Sequence, residues 1–323
     1  MTSSNTRVSS TAMPTAEPEI QVRRRRPSRR PAAQRPRRRA GWSTLLWVLP
    51  ALTVYGIFVL YPLVQTVNYS FYKWDGIGAA TPAGFANYQS VFTQSALYVS
   101  ILNSFVLIVF FTVIPVTLGL VSAVIMRELK GRGIGTLIRT LLFLPEVIPL
   151  AGAAIAWTWM YSPNGVVNQA LRAFGLASDQ HAWLGDFSTA LPAVGIIGTW
   201  VVTGFCTVLL LVGIAKIDPS LFEAARLDGA GRWAEFRAIT LPELRRELVV
   251  CVTVTIIAAL ASFDVVYIAT QGGPGYSTMV PGLEIYQLTF IRQQVGQASA
   301  LAVVLVALVL VIIVPIQRLG RER

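Results

Sequence analysis

The sequence predicts an all-α integral membrane protein of six transmembrane helices with both termini in the cytoplasm. Three observations carry this prediction. The 323 residues are 54% hydrophobic and only 13% charged, with mean hydropathy +0.58; soluble domains carry about 25% charged residues. Six apolar stretches are long enough to cross a hydrocarbon core of roughly 30 Å. The basic residues gather on alternate connections between those stretches. Such hydropathy also excludes global disorder, which needs low hydrophobicity.

The stretches fall at about 42–64, 99–126, 140–160, 190–215, 248–270 and 297–317. Helices are expected because every backbone polar group in hydrocarbon must be satisfied within its segment or by a closed barrel, and these runs do not alternate as barrel strands would. The second and last runs carry no charge, the third holds Glu146 and the fifth Asp264. Pro145, Glu146 and Pro149 interrupt the third. With the N-terminus inside, 24 of the 27 Lys and Arg lie on inside segments and 3 (Lys73, Arg172, Arg292) outside; without the first 41 residues the split is still 13 to 3. That asymmetry sets the orientation. The first run is too long for a cleaved signal peptide and no small-residue cleavage site follows it, so an uncleaved anchor fits better.

The net charge of +11 is not spread over the chain. Eleven arginines lie in residues 1–41, among Ser, Thr and Pro, with no apolar periodicity. Nothing there offsets the entropy of ordering, so a disordered arm is expected, set apart from a six-helix transmembrane domain at 42–323. The arm has no interleaved aromatics to stack bases. Attraction to anionic lipid, or plain enforcement of orientation, is favoured over nucleic acid. Cys206 and Cys251 read as small apolar packing residues. The one histidine, His181, falls in an outside loop.

The inside stretch of about 216–247 is long and balanced, six basic residues against six acidic. Asp218-Pro219-Ser220 is a helix start. Leu221, Phe222, Ala225 and Leu227 give a short amphipathic helix, which Gly229 and Gly231 break. Trp233, Phe236 and Ile239 share a face of a second short helix, with Pro242 expected to end it. Two readings follow from spacing alone, a docking surface for a soluble partner or a loop packed on its own bundle. Glu223 and Asp228 read locally as capping or as partners of Arg226 or Arg232, worth about 0.5 kcal/mol.

Glu223-Ala224-Ala225, Asp228-Gly229-Ala230, Phe236 and Leu241-Pro242 resemble, without gaps, the EAA signature of bacterial ABC importer permeases in its carbohydrate-uptake, maltose-type form. Thr270-Gln271-Gly272-Gly273-Pro274 with Ser277-Thr278 is similar to the segment after the fifth span of that family. Asn68-Tyr69-Ser70-Phe71, Trp74-Asp75-Gly76 and Gly84-Phe85-Ala86-Asn87-Tyr88 are similar to the region after its first span; Trp157, Trp159, Gly165 and Asn168 also stand where the family has them. The resemblance covers roughly 45–317. Glu146 departs from it, where a neutral residue is expected.

The resemblance implies a type I importer fold in a bacterial plasma membrane. It implies a second homologous permease, two copies of a cytoplasmic ABC ATPase that bind ATP and Mg, and an extracellular solute-binding protein. The chain itself is then no enzyme and holds no cofactor; its sequence has no phosphate-binding G-x-x-x-x-G-K-[ST] loop. Glu223, Ala224, Ala225, Asp228, Gly229, Ala230, Phe236 and Pro242 would form the ATPase-coupling site. For the substrate path, sugars require hydrogen-bonding groups and flat apolar faces. Trp200, Thr203, Gly204, Phe205 and Thr207 in the fourth span, and Ser262, Phe263, Asp264 and Tyr267 in the fifth, supply both, against a plain packing or lipid-contact reading. Phe263 and Tyr267 are i, i+4 and share a face. Asp264 is expected to face a cavity or to cap an interrupted helix, since a lone carboxylate in hydrocarbon is costly. Competing readings are the same machine for glycerol phosphate, a stand-alone secondary carrier and a membrane enzyme. They find no basic residue within the spans, no internal repeat and no clustered Cys, His or acids.

Overall fold

A computed structural model describes residues 42–128, 132–176 and 181–321. The expected Arg-rich arm at 1–41 lies outside the described residues. The chain divides into two compact units, Met1–Thr53 and Val54–Arg323. The described part of the first belongs to helix α1 (Trp42–Tyr55).

The second unit continues through a π-helical turn, Gly56–Leu60, into α2 (Tyr61–Tyr69). A small antiparallel hairpin follows, β1 (Tyr72–Lys73) with β2 (Thr81–Pro82), Tyr72 opposite Pro82. Then come α3 (Ala86–Thr93), α4 (Ser95–Ile108), a π turn at Val109–Val113 and α5 (Ile114–Glu128). α6 (Arg132–Val147), α7 (Leu150–Met160) and α8 (Val166–Ala173) lead to the 26-residue α9 (Ala190–Ala215). The 216–247 stretch holds α10 (Pro219–Leu227), α11 (Arg232–Glu235), a π turn at Phe236–Thr240 and α12 (Leu241–Glu243). The chain closes with α13 (Arg245–Leu260), α14 (Asp264–Ala269), α15 (Pro281–Tyr286), a π turn at Gln287–Ile291 and α16 (Val295–Arg321).

Three of the π turns end two residues before a proline: Pro62, Pro115 and Pro242. A proline ring clashes with the carbonyl four residues back, and a wider i→i+5 turn relieves that clash while the helix continues. This corrects the expectation that Pro242 ends its helix. The helical run passes through Pro242 to Glu243, and the break comes at Leu244.

Among the described residues four helical segments are long and apolar enough to cross a membrane: Trp47–Tyr69, Ser95–Arg127, Ala190–Ala215 and Val295–Gly320. A fifth candidate is a broken pair, Gly135–Val147 and Leu150–Met160, bent by 99°. The expected third run is therefore not one straight helix. It turns at Ile148–Pro149, where proline drives the residue before it out of the α region. The expected fifth run is interrupted as well. α13 has 16 residues, about 24 Å of rise, and the chain is extended or irregular at Ala261–Phe263 before α14 resumes. A helical segment between the last two runs, Pro281–Ile291, was not expected from the sequence; it buries Leu283, Glu284 and Leu288.

α9 is the axis of packing. Glycines fix its neighbours at backbone distance. A Cβ on Gly204 would stand 2.0 Å from the Leu142 carbonyl oxygen of α6, and one on Gly119 of α5 would stand 2.8 Å from Cys206 Cβ. One core, toward the start of α9, gathers Leu107, Phe111, Val194, Ile197, Val266 and Leu283. A second, toward its end, gathers Ala123, Met126, Cys206, Leu210, Leu244 and Cys251. The apolar residues of 54–67 stay exposed on almost every side, as suits a helix whose solvent is lipid.

Candidate functional site

The 216–247 stretch builds a preformed bend. Asp218 caps α10 by accepting from the Ser220 N–H at 2.9 Å, and Pro219 fills the first turn, where no N–H partner is needed. The cap hydrogen bonds hold the Asp218 carboxyl below the usual carboxylate range. At the other end Ala230 N donates to Ala225 O at 2.9 Å and Gly229 N to Arg226 O at 3.1 Å, with Gly229 at φ +78°. This is the Schellman arrangement, in which a left-handed residue past the helix end satisfies its last carbonyls. Glycine takes that φ without steric cost, so Gly229 is a geometric requirement of the bend.

Two contacts brace it. Arg226 Nε donates to Glu235 Oε1 at 2.8 Å across the bend, and Glu235 is buried. The Arg226 guanidinium holds the Glu235 carboxyl below its ordinary range. At the root of α10, Phe222 is buried and the Arg127 guanidinium of α5 lies 3.5 Å over its ring centroid, a cation–π contact. What remains exposed is Glu223, Ala224, Asp228 and Gly229, with Ala225 and Ala230 half-buried. Beside them stand Leu227, 89% exposed, and Trp233, 71% exposed and stacked on half-buried Phe236 at 5.4 Å. Pro242 is exposed. Burying Leu227 alone against a partner is worth about 2 kcal/mol. The root of the stretch is therefore packed on its own bundle, through Phe222, while its tip is left open.

The substrate-path candidates divide. Trp200 meets Trp157 of α7 edge-on at 5.8 Å, and Trp157 meets Tyr161 at 5.2 Å. Thr203 and Thr207 donate to the carbonyls of Thr199 and Thr203 one turn back. Gly204 serves the close approach to α6, and Phe205 packs toward the second core, on another face from Trp200. Phe263 and Tyr267 stack at 5.2 Å with an interplanar angle of 14°, the i, i+4 pair expected. Both meet Tyr286 of α15 edge-on, which continues to Phe290. Asp264 is exposed in the first turn of α14, where a helix dipole favours a carboxylate. Ser262 is buried in the break, its hydroxyl without a partner among the described residues. Tyr286 and Phe290 were missed; their own i, i+4 spacing was the available signal, hidden because the segment read as a connection.

The end of the bundle opposite 216–247 is stitched by three buried asparagines whose amides donate to backbone carbonyls. Asn87 reaches Ser70 O and Tyr72 O at 2.9 and 2.8 Å. Asn103 reaches Met279 O at 2.9 Å and so holds the Thr270–Thr278 loop, whose two hydroxyls are 2.7 Å apart. Asn168 spans Ser162 O, Pro163 O and His181 O and accepts from Trp183 Nε1 at 2.9 Å. Arg292 and the fully buried Glu284 pair at 2.8 Å nearby in the chain. The Asn87 and Asn168 motifs singled out in the sequence are thus structural fasteners.

Fold and site together define a multi-pass helical membrane protein with a braced, apolar-tipped loop at one end. Residues 115–319 match the family described as binding-protein-dependent transport system inner membrane component. The chain is 35% identical over 267 residues to the probable ABC transporter permease protein YurN of Bacillus subtilis, covering 82% of this chain and 91% of that one. It is 34% identical over 310 residues to the diacetylchitobiose uptake system permease protein NgcF of Streptomyces coelicolor, covering 91% and 88%. A chain in the crystal structure of a bacterial alginate ABC transporter, in complex with its pentasaccharide-bound periplasmic protein, shares the fold. Its TM-score is 0.75 at 24% identity, over 87% of this chain and 94% of that one. The chain belongs to the family of binding-protein-dependent transport inner membrane components, as an ABC transporter permease subunit.

Proposed function

We propose that this chain is the permease subunit of an ATP-driven importer of sugars in a bacterial plasma membrane, with six spans and both termini cytoplasmic. The observation that carries the mechanism is the braced bend of 218–235 with its exposed Leu227 and Trp233. Support for a sugar cargo comes from relatives named for diacetylchitobiose, lactose and trehalose/maltose uptake. The 13-to-3 charge asymmetry supports the orientation, with the broken α6–α7 pair and α13–α14 each completing a span.

In this reading the bend is the coupling element for two copies of a cytoplasmic ATPase that hold ATP and Mg. Leu227 and Trp233 would seat in a cleft of that ATPase, and Glu223 would offer a charge-assisted hydrogen bond to a basic group there. Closure of the ATPase pair moves the two coupling loops, and the spans follow as rigid bodies between two states. The Arg226–Glu235 and Arg127–Phe222 contacts make the bend stiff enough to pass that motion to α5 and α9. A second homologous permease completes the path, and an extracellular binding protein delivers solute to the stitched end. Trp200, Thr203, Phe263, Asp264 and Tyr267 would line this chain's half, with Phe205 and Ser262 supporting the wall. The Arg-rich arm would lie along the anionic headgroups.

Affinity purification of the chain from its native membrane, with mass spectrometry of what stays bound, tests this. Recovery of an ATPase and a second permease is expected, with the ATPase lost in Gly229→Arg. Uptake that persists after deletion of the ATPase would overturn it in favour of a stand-alone carrier.

A further inference from the structure

A groove of about 470 Å³ opens where α5, α6, α9 and α10 converge, at the root of the coupling bend. Its apolar floor is one stripe of α9: Val208, Leu211, Val212 and Ala215, at i, i+3, i+4 and i+7. Val212 is 49% exposed although it lies on the best-packed helix of the bundle. Among the described residues, the charged groups lining the groove are Arg127, in the last turn of α5, and Arg139 of α6. No carboxylate among the described residues lies within ion-pairing distance of either. Glu235, whose carboxyl feels Arg127, is already held by Arg226.

The position of these arginines is imposed by packing. Gly119 holds α5 against α9, and Gly204 holds α6 against α9 one turn above Arg139. Between the two helices the stripe is left open as a groove, and both guanidiniums line it. An apolar trough one helix face wide, ending in two cations at the edge of the membrane, matches an acyl chain joined to an anionic phosphodiester. Arginine forks suit phosphate oxygens, and a zwitterionic headgroup would bring a third cation up to the two guanidiniums, which an anionic one does not.

We infer that this groove is a binding site for an anionic glycerophospholipid of the cytoplasmic leaflet, with its headgroup on Arg127 and Arg139 and one acyl chain along Val208–Ala215. Arg127 also lies over Phe222, so the occupied site ties the headgroup to the root of the coupling helix. The inference rests on the membrane placement proposed above, with 216–247 in the cytoplasm.

The test uses the full chain in nanodiscs of equal phosphatidylglycerol and phosphatidylcholine, followed by native mass spectrometry of the lipid retained on release. Phosphatidylglycerol is expected to be retained preferentially. Arg139→Gln should lower that preference at least about five-fold, through loss of a charge-assisted hydrogen bond to the phosphate. Val212→Trp, which fills the trough and leaves both arginines, should lower retention as much. Arg318→Gln, which removes the same charge from the end of α16, should change nothing. Equal retention of the two lipids overturns the site, as does an equal response to Arg318→Gln and Arg139→Gln. Displacement of the lipid by glycerol 3-phosphate at millimolar concentration would make it a soluble-anion site instead. Monodisperse elution of each variant excludes misfolding. Phosphatidylglycerol selectivity in the nanodisc, combined with failure to recover an ATPase with the chain from its native membrane, would sink the importer reading and leave the lipid site standing.

Discussion

The two ends of the bundle are held by different chemistry. At the end bearing Asn87, Asn103 and Asn168, side-chain amides inside the protein bind the carbonyls of loops, so the loops are closed down onto the helices. At the 216–247 end the bend is held by its own backbone, the Arg226–Glu235 pair and Phe222 under Arg127, an arrangement that leaves Leu227 and Trp233 facing out. The first arrangement resists motion because each lost amide strands a buried carbonyl. The second keeps its shape without spending its apolar surface, so that surface stays available to a partner. The proposed importer, taking force at one end and receiving solute at the other, needs both.

The largest expected effect comes at the open end. Leu227→Arg should reduce ATPase retention in a pull-down by more than about ten-fold, since removing one well-buried leucine from an interface exceeds the 1.4 kcal/mol that a decade represents. The thermal midpoint of the chain should stay unchanged, because Leu227 touches almost nothing. A fall in that midpoint would mean that the open end is packed after all. Next, Asn103→Leu should destabilise the chain by about 2 kcal/mol, read from denaturant unfolding in detergent, by leaving the Met279 carbonyl unpaired. The folded fraction should still retain ATPase; if it does not, the two ends are not separable.

A smaller effect sharpens the account of the brace. The Glu235 carboxyl has a depressed folded-state pKa, so its contribution is present above the ordinary glutamate value and is lost as pH falls through the folded value. Protection of 226–236 against hydrogen exchange, taken relative to the intrinsic rate at each pH, should therefore fall as pH drops below the ordinary glutamate value while that of the Asn-stitched loops does not change. Glu235→Gln should remove that pH dependence and set the protection at the lower level. The smallest effect is expected at Asp218. Asp218→Ala should raise exchange in the first turn of α10 only, and Asp218→Asn, which still caps, should not.

Legibility differed by element. The helix start at Asp218-Pro219, the bend at Gly229 and the Phe263–Tyr267 pair were readable because each depends on residues within four positions of one another. The partner of Arg226 was not. Asp228 and Glu223 were the near choices by helix spacing, yet the Schellman bend folds α11 back and brings Glu235, nine positions on, to 2.8 Å. Tyr286 and Phe290 stayed hidden for a related reason: their segment lies between spans, and only its packing on α4 and α16 makes a short helix there worth forming.

By itself the sequence determined the membrane as solvent, the apolar runs, the side on which positive charge gathers and the local chemistry of the bend. Each is a property of composition or of spacing along one helix, where rise and periodicity are fixed by backbone geometry. Tertiary structure alone decided that the fifth run is broken, that the proline-interrupted third run bends by as much as 99°, and which face of α9 holds aromatics and which an open trough between Arg127 and Arg139. Those outcomes depend on how closely neighbouring helices approach at Gly119 and Gly204, and contact between distant segments leaves no period in the chain to read.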